Sequence, residues 1–252
     1  MTRAAGGTPT RTKHTQSPKY RSPHVDNARS TLTNDIPEVP EVKLLPLMNA
    51  VLIDIPLDQL NSVCDKLISD GHIIYINKNP KWRCLPRNPS TVKKPETEVF
   101  KFIVIIINLI DASCSEQSDV NCLADGDRGP TSFRHDRSRP DGFFYLGEQQ
   151  KRSNLVMWLY VFFTLEFKKA GGKDNQIDNR AKMMWSLHHM MRNDARRRFV
   201  HGMTCENTKA RLWYHDRCDI VASEEFDLNK DWKHLVRIVL SYLDPSPVVW
   251  FM

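Results

Sequence analysis

No two of the six cysteines, Cys64, Cys84, Cys114, Cys122, Cys205 and Cys218, form a C-x-x-C pair, and no secretory signal precedes them. Neither a zinc knuckle nor a disulfide framework is expected, which leaves reduced thiols in an intracellular protein, cytoplasmic or nuclear. Long apolar runs are lacking too. Those at 102–107 and 155–167 fall short of the roughly twenty residues that a bilayer span needs, so no membrane is expected. A calcium loop is missing as well, because Asp125-Gly126-Asp127 has neither the ligand spacing nor the closing glutamate and reads as a turn. Charge imbalance is confined to one end. The net charge is +6, yet residues 1–30 hold Arg3, Arg11, Lys13, Lys19, Arg21 and Arg29 against Asp26 alone, so the rest of the chain is nearly neutral.

What is present is core material, 40% hydrophobic residues in 252. Its centre is the stretch 158–169, WLYVFFTLEFKK, where β-branched and aromatic residues without Gly or Pro predict a buried strand. Side chains alternate along a strand, so Glu166 and Lys168 are expected on one face with Thr164 and Phe162. Charges at the end of a buried strand either mark its emergence into solvent or form a site. Residues 143–146 predict a shorter strand entered from Pro140-Asp141-Gly142. An antiparallel hairpin of the two brings Asp141 near Glu166 only in the right register.

The remaining pattern divides the chain. Residues 1–45, rich in Thr, Ser, Pro and basic residues, read as a disordered tail. Residues 46–95 read as a helix (57–68) closed by Asp70-Gly71, a short strand (72–76) and a proline-rich connection anchored by Trp82. Residues 96–243 form the main domain. A helix is expected over 96–110 with Pro95, Glu96 and Glu98 at its start, then a polar loop over 111–139 and the hairpin. An amphipathic helix follows over 178–192, with Ile177, Ala181, Met184, His188 and Met191 as its apolar stripe. Strands at 199–205, 210–214 and 220–222 precede a last helix opened by Asp227 or Asn229. Arg196, Arg197 and Arg198 read as a phosphate contact or a solvated rim. The fold class expected is α/β or α+β, a mixed sheet flanked by helices.

Several long segments carry a resemblance. Arg139-Pro140-Asp141-Gly142, Glu166-Phe167-Lys168-Lys169, the run 185–194, Arg196-Arg197-Arg198-Phe199, Glu206-Asn207-Thr208, Arg211-Leu212-Trp213-Tyr214 and the run 226–232 resemble, in order, the N-terminal half of the fungal-type protein kinases. The kinase catalytic region of that family lies downstream of such a half, and residues 244–252 look unlike its continuation and read as a truncation. Kinase chemistry has no support within the chain itself. There is no Gly-rich phosphate loop, and His215-Asp216-Arg217 and Asp141-Gly142-Phe143 have the letters of the catalytic and metal motifs in the wrong order.

Pro140-Asp141 and Glu166-Phe167-Lys168 also resemble the motif of the PD-(D/E)xK nucleases, which implies a restriction-endonuclease-like sheet. The resemblance implies Mg²⁺ on Asp141 and Glu166, with Glu98 as an accessory acid, and Lys168 acting on the attacking water. Two functions follow as expectations. One is a regulatory or partner-binding module of a fungal-type kinase on a nuclease-like scaffold, and the other is Mg²⁺-dependent phosphodiester hydrolysis at Asp141, Glu166 and Lys168. A protein partner belongs to the first. Nucleic acid held by Arg196, Arg197 and Arg198 belongs to the second.

Overall fold

The computed structural model describes residues 31–33, 35–36, 38–116, 118–124, 129–131, 139–147 and 156–243. Residues 1–30, 125–128 and 244–252, on which most of the tail, the acidic turn and the truncation fall, lie outside the described residues. Among the described residues a mixed sheet runs in the order β1 (Glu41–Val42), β9 (Ile220–Ser223), β8 (Lys209–Asp216), β7 (Phe199–Glu206), β6 (Val161–Lys168), β5 (Gly142–Leu146) and β4 (Val120–Leu123). The short β10 (Phe226–Asp227) also pairs with β8, and β2 (Ile73–Ile76) with β3 (Asn79–Trp82) makes a separate hairpin.

Two sheet neighbours are parallel, β6 with β7 and β1 with β9; the other pairs are antiparallel. The β6–β7 pair needs a crossover, supplied by α5 (Lys173–Asn193) lying on one face. On the other face lie α2 (Leu57–Ser69), α4 (Phe102–Ser113) and α6 (Trp232–Leu243), over the larger apolar cluster that includes Phe163, Leu165, Phe167, Met203 and Leu212. The helix α1 (Leu44–Val51) adds Leu44, Leu47 and Met48 to it. The expected mixed sheet flanked by helices is therefore the architecture observed.

Several boundaries differ from expectation. Residues 41–42, read as tail, add an edge strand to β9 because a two-residue strand leaves too little pattern to recognise. The 111–139 loop contains the last turn of α4 and then β4, four residues with no alternating burial. The helix foreseen over 96–110 breaks into α3 (Glu96–Val99) and α4, with Ile103, Ile106, Ile107 and Ile110 buried. Burial on a helical period outweighs the β propensity of the isoleucines there.

The central strand begins at Val161, after a 3-10 turn over Trp158–Tyr160. Its alternation is interrupted once. Phe144 pairs with Phe163 and Tyr145 with Val161, so Phe162 is the extra residue of a bulge. Phe162 consequently turns away from Thr164 and Glu166 and stacks on Tyr242 of α6 at 6.0 Å. That corrects its expected placement beside them.

Gly202 on β7 sits where α5 comes closest to the sheet. A methyl group on its Cα would collide with the Met183 sulfur and stand 3.1 Å from the Thr164 carbonyl oxygen. Gly202→Ala is expected to lower stability by about 1–3 kcal/mol, the usual cost of overpacking. Urea unfolding measures it, and a variant as stable as wild type would mean that α5 can lift from the sheet freely.

Candidate functional site

The site grows out of the β5–β6 register. Gly142 pairs with Leu165, which sets Asp141 across from Glu166, as the hairpin required. The Asp141 Oδ2 accepts the Phe167 N–H at 2.8 Å, tying the approach to β5 to the far end of β6. Burial pushes the Asp141 carboxyl above the usual range; that hydrogen bond and the nearby Lys182 and Lys168 ammoniums oppose the shift, while Glu96 adds to it.

Thr164, Glu166 and Lys168 all face α5, following the strand period past the bulge. Glu166 is 2% exposed, and its Oε1 accepts the Ser186 hydroxyl at 3.0 Å. Lys168 reaches Asp178 of α5 at 2.7 Å, and Lys182, one helical turn further, reaches the same carboxylate oxygen at 3.3 Å. Burial works against the charge on both partners. The ion pair nevertheless wins, holding Lys168 above and Asp178 below its ordinary range.

Glu98 is not part of this cluster. It pairs with Lys101 and is half exposed, because α3 is a single turn and residues two apart on it point nearly oppositely. Glu96 turns inward instead, accepting the Lys169 N–H at 2.8 Å, while Lys169 Nζ donates to the carbonyls of Val92 and Lys94. Of the two acids on α3, Glu96 therefore turns toward Asp141 and Glu98 does not, and the Glu96 oxygen is engaged by backbone.

The neighbouring strand extends the polar face. Asn179 donates to Glu206 Oε1 at 2.7 Å, and more weakly to the Glu166 and Cys205 carbonyls at 3.4 Å. Sequence reading passed over Asp178, Lys182, Ser186, Asn179 and Glu206. The Asp178–Lys182 spacing of four on the helix after Glu166-Phe167-Lys168 was the signal available. The arginine cluster resolves differently for each member. Arg197 is 3% exposed and donates to the Val161 and Leu159 carbonyls at 2.5 Å, Arg196 lies along Asp194 at 3.0 Å, and Arg198 is exposed.

His215-Asp216-Arg217 closes a turn. The Asp216 Oδ1 accepts the N–H groups of Cys218 and Asp219 at 2.8 Å, and Arg217 donates to the carbonyls of Asp194, Ala195 and Arg197. These hydrogen bonds give the segment a turn-closing role. All six cysteines are free thiols, and among the described residues no helix is long and apolar enough to cross a membrane.

Residues 139–246 match the family model described as fungal protein kinase. The match starts at Arg139, where the first resembling segment starts, and runs through β5, β6, α5, β7, β8 and α6. It therefore covers Asp141, Glu166 and Lys168, and over that stretch the chain is similar to the fungal protein kinase family. No curated protein and no solved structure matches this chain.

Proposed function

We propose that this chain is a regulatory or partner-binding portion of a fungal-type protein kinase, built on a nuclease-like scaffold whose acidic and lysine residues now fasten the fold. The carrying observation is the commitment of each group. Asp141 serves the Phe167 N–H, Glu166 the Ser186 hydroxyl, and Lys168 shares Asp178 with Lys182. Mg²⁺ prefers an octahedral shell of hard oxygens that includes several waters. Among the described residues no three His, Cys, Asp or Glu side chains gather as a cation site, and Asp141 and Glu166 already hold hydrogen bonds of the fold, which supports the fastening role.

Thermal melting with and without Mg²⁺ tests this reading on three proteins. Wild type is expected to melt at the same temperature in both. Asp141→Ala loses the acceptor of the Phe167 N–H and should be less stable by about 1–3 kcal/mol. Asp141→Asn keeps an acceptor and sheds a buried charge, so its stability at neutral pH should be close to wild type.

The pH dependence has a definite sign. Asp141 binds its proton more tightly when folded than at its ordinary value of 3.8, so this group's contribution makes stability fall as pH rises from 3.8 through the raised value. Asp141→Asn should remove that slope. Melting that rises with Mg²⁺ in wild type and not in Asp141→Asn would sink the proposal by showing a metal site at Asp141.

A further inference from the structure

A second polar site lies on the outer side of the same sheet face, away from Asp141. The first two turns of α5, β7, β8 and the segment before β1 enclose a cleft of about 280 Å³. That is at the small end of ligand pockets, which start near 300 Å³. Glu206, 2% exposed, lines it. One of its oxygens is held by Asn179, while the other, Oε2, is buried with no hydrogen-bond partner among the described residues. A buried carboxylate oxygen without a donor is costly, and the cleft beside it is where a donor can arrive.

The walls divide by charge. Arg211 is neutralised within the protein by Glu41 at 3.2 Å and Glu225 at 2.8 Å. Lys173 and Arg180, about two turns apart at the start of α5, make no ion pair among the described residues, and neither does Glu38 on the opposite wall. The positive end of a 21-residue helix adds to the two cations. Trp213, whose Nε1 is already used on Thr204, supplies an apolar side.

We infer that this cleft binds a small amphoteric ligand, an amino acid or the end of a short peptide. Its ammonium or guanidinium group meets Glu206 and its carboxylate lies against Arg180 and Lys173. The complementarity is twofold: a buried carboxylate with one oxygen lacking a donor, and two cations that make no ion pair among the described residues, within one cleft. Neither group takes part in the Asp141 cluster, so the site stands or falls independently of the Mg²⁺ experiment.

Calorimetric titration of the full chain with L-arginine, with the tripeptide Gly-Gly-Arg and with agmatine, which lacks the carboxylate, is the test. Saturable binding of L-arginine or of the tripeptide with a dissociation constant of about 1 mM or tighter is expected. The better of the two identifies the source. Agmatine should bind about tenfold more weakly or not at all. Glu206→Gln, which preserves an acceptor for Asn179, and Arg180→Ala, on a partly exposed helix position, should each weaken binding about tenfold while the protein still melts cooperatively. Absence of saturation by both probes, equal binding of agmatine, or binding unchanged in both variants would overturn the inference.

Discussion

Trp82→Ala is expected to cost about 3–5 kcal/mol, the range for deleting a large buried aromatic side chain. Trp82 is fully buried at the end of β3, and its ring meets Trp232 edge to face at 6.1 Å. It also closes a long-range link. Its Nε1 donates to the Leu228 carbonyl at 3.0 Å, and its backbone N–H to the Asn229 side chain at 3.1 Å, fixing the β2–β3 hairpin to the turn that begins α6. Alanine leaves both a cavity and an unpaired Leu228 carbonyl. For a chain of this size each kcal/mol shifts Tm by about 2–4 °C, so a drop of about 6–20 °C is expected by calorimetry. Trp82→Phe keeps a ring but not the Leu228 bond, and should fall between the two. An alanine variant melting like wild type would show that the hairpin is not docked on α6.

Arg197→Lys should lower stability by about 2–4 kcal/mol, although charge is conserved. The guanidinium spans the Val161 and Leu159 carbonyls at 2.5 Å and the Trp158 carbonyl at 3.5 Å, satisfying the 3-10 turn where the chain enters β6. A lysine ammonium is a single point and cannot match a planar fork on several acceptors. Burial lowers the Arg197 pKa to about 10, which still leaves it charged at neutral pH. Its partners are carbonyl dipoles, and hydrogen bonds from a charged donor are worth about 1.5–3 kcal/mol each. Urea denaturation of Arg197→Lys beside Arg198→Lys separates the two positions. The Arg198 side chain is exposed, and its variant should be within about 0.5 kcal/mol of wild type. Equal small losses at both would contradict the clamp.

The sheet was legible where apolar content and period agreed. Residues 199–206 and 209–216 pair as a hairpin around Asn207, which adopts a φ of 62°, as the Glu206-Asn207-Thr208 turn suggested. The helix after β6 was legible as a helix and misleading as a stripe. Ile177, expected inside, is 56% exposed, while Asn179, Ser186 and His189 are buried. The reason is the polar row beneath it: Thr164, Glu166 and Lys168 on β6, Thr204 and Glu206 on β7. A helix that covers a polar face buries polar residues, so hydrophobic periodicity locates its buried side poorly. The candidate site was legible as Asp141, Glu166 and Lys168 because residue type and spacing carry those. Whether the groups stay available depended on Ser186, Asp178 and Lys182, which approach through the crossover and leave only a weak local mark.

That crossover also sets an order of events during synthesis. β6, with three phenylalanines, takes its parallel neighbour from β7, whose last residue is added 38 positions after the end of β6. At about 5–20 residues per second the ribosome needs roughly 2–8 s to bridge that interval. Through it, β6 pairs on one side only and its other edge has open hydrogen-bonding groups, beside Phe163, Leu165 and Phe167 not yet covered by α6. A nascent chain of this topology therefore passes through a window in which it favours capture by chaperones or pairing with another emerging chain, and the window closes only when β7 and then α6 have left the exit tunnel.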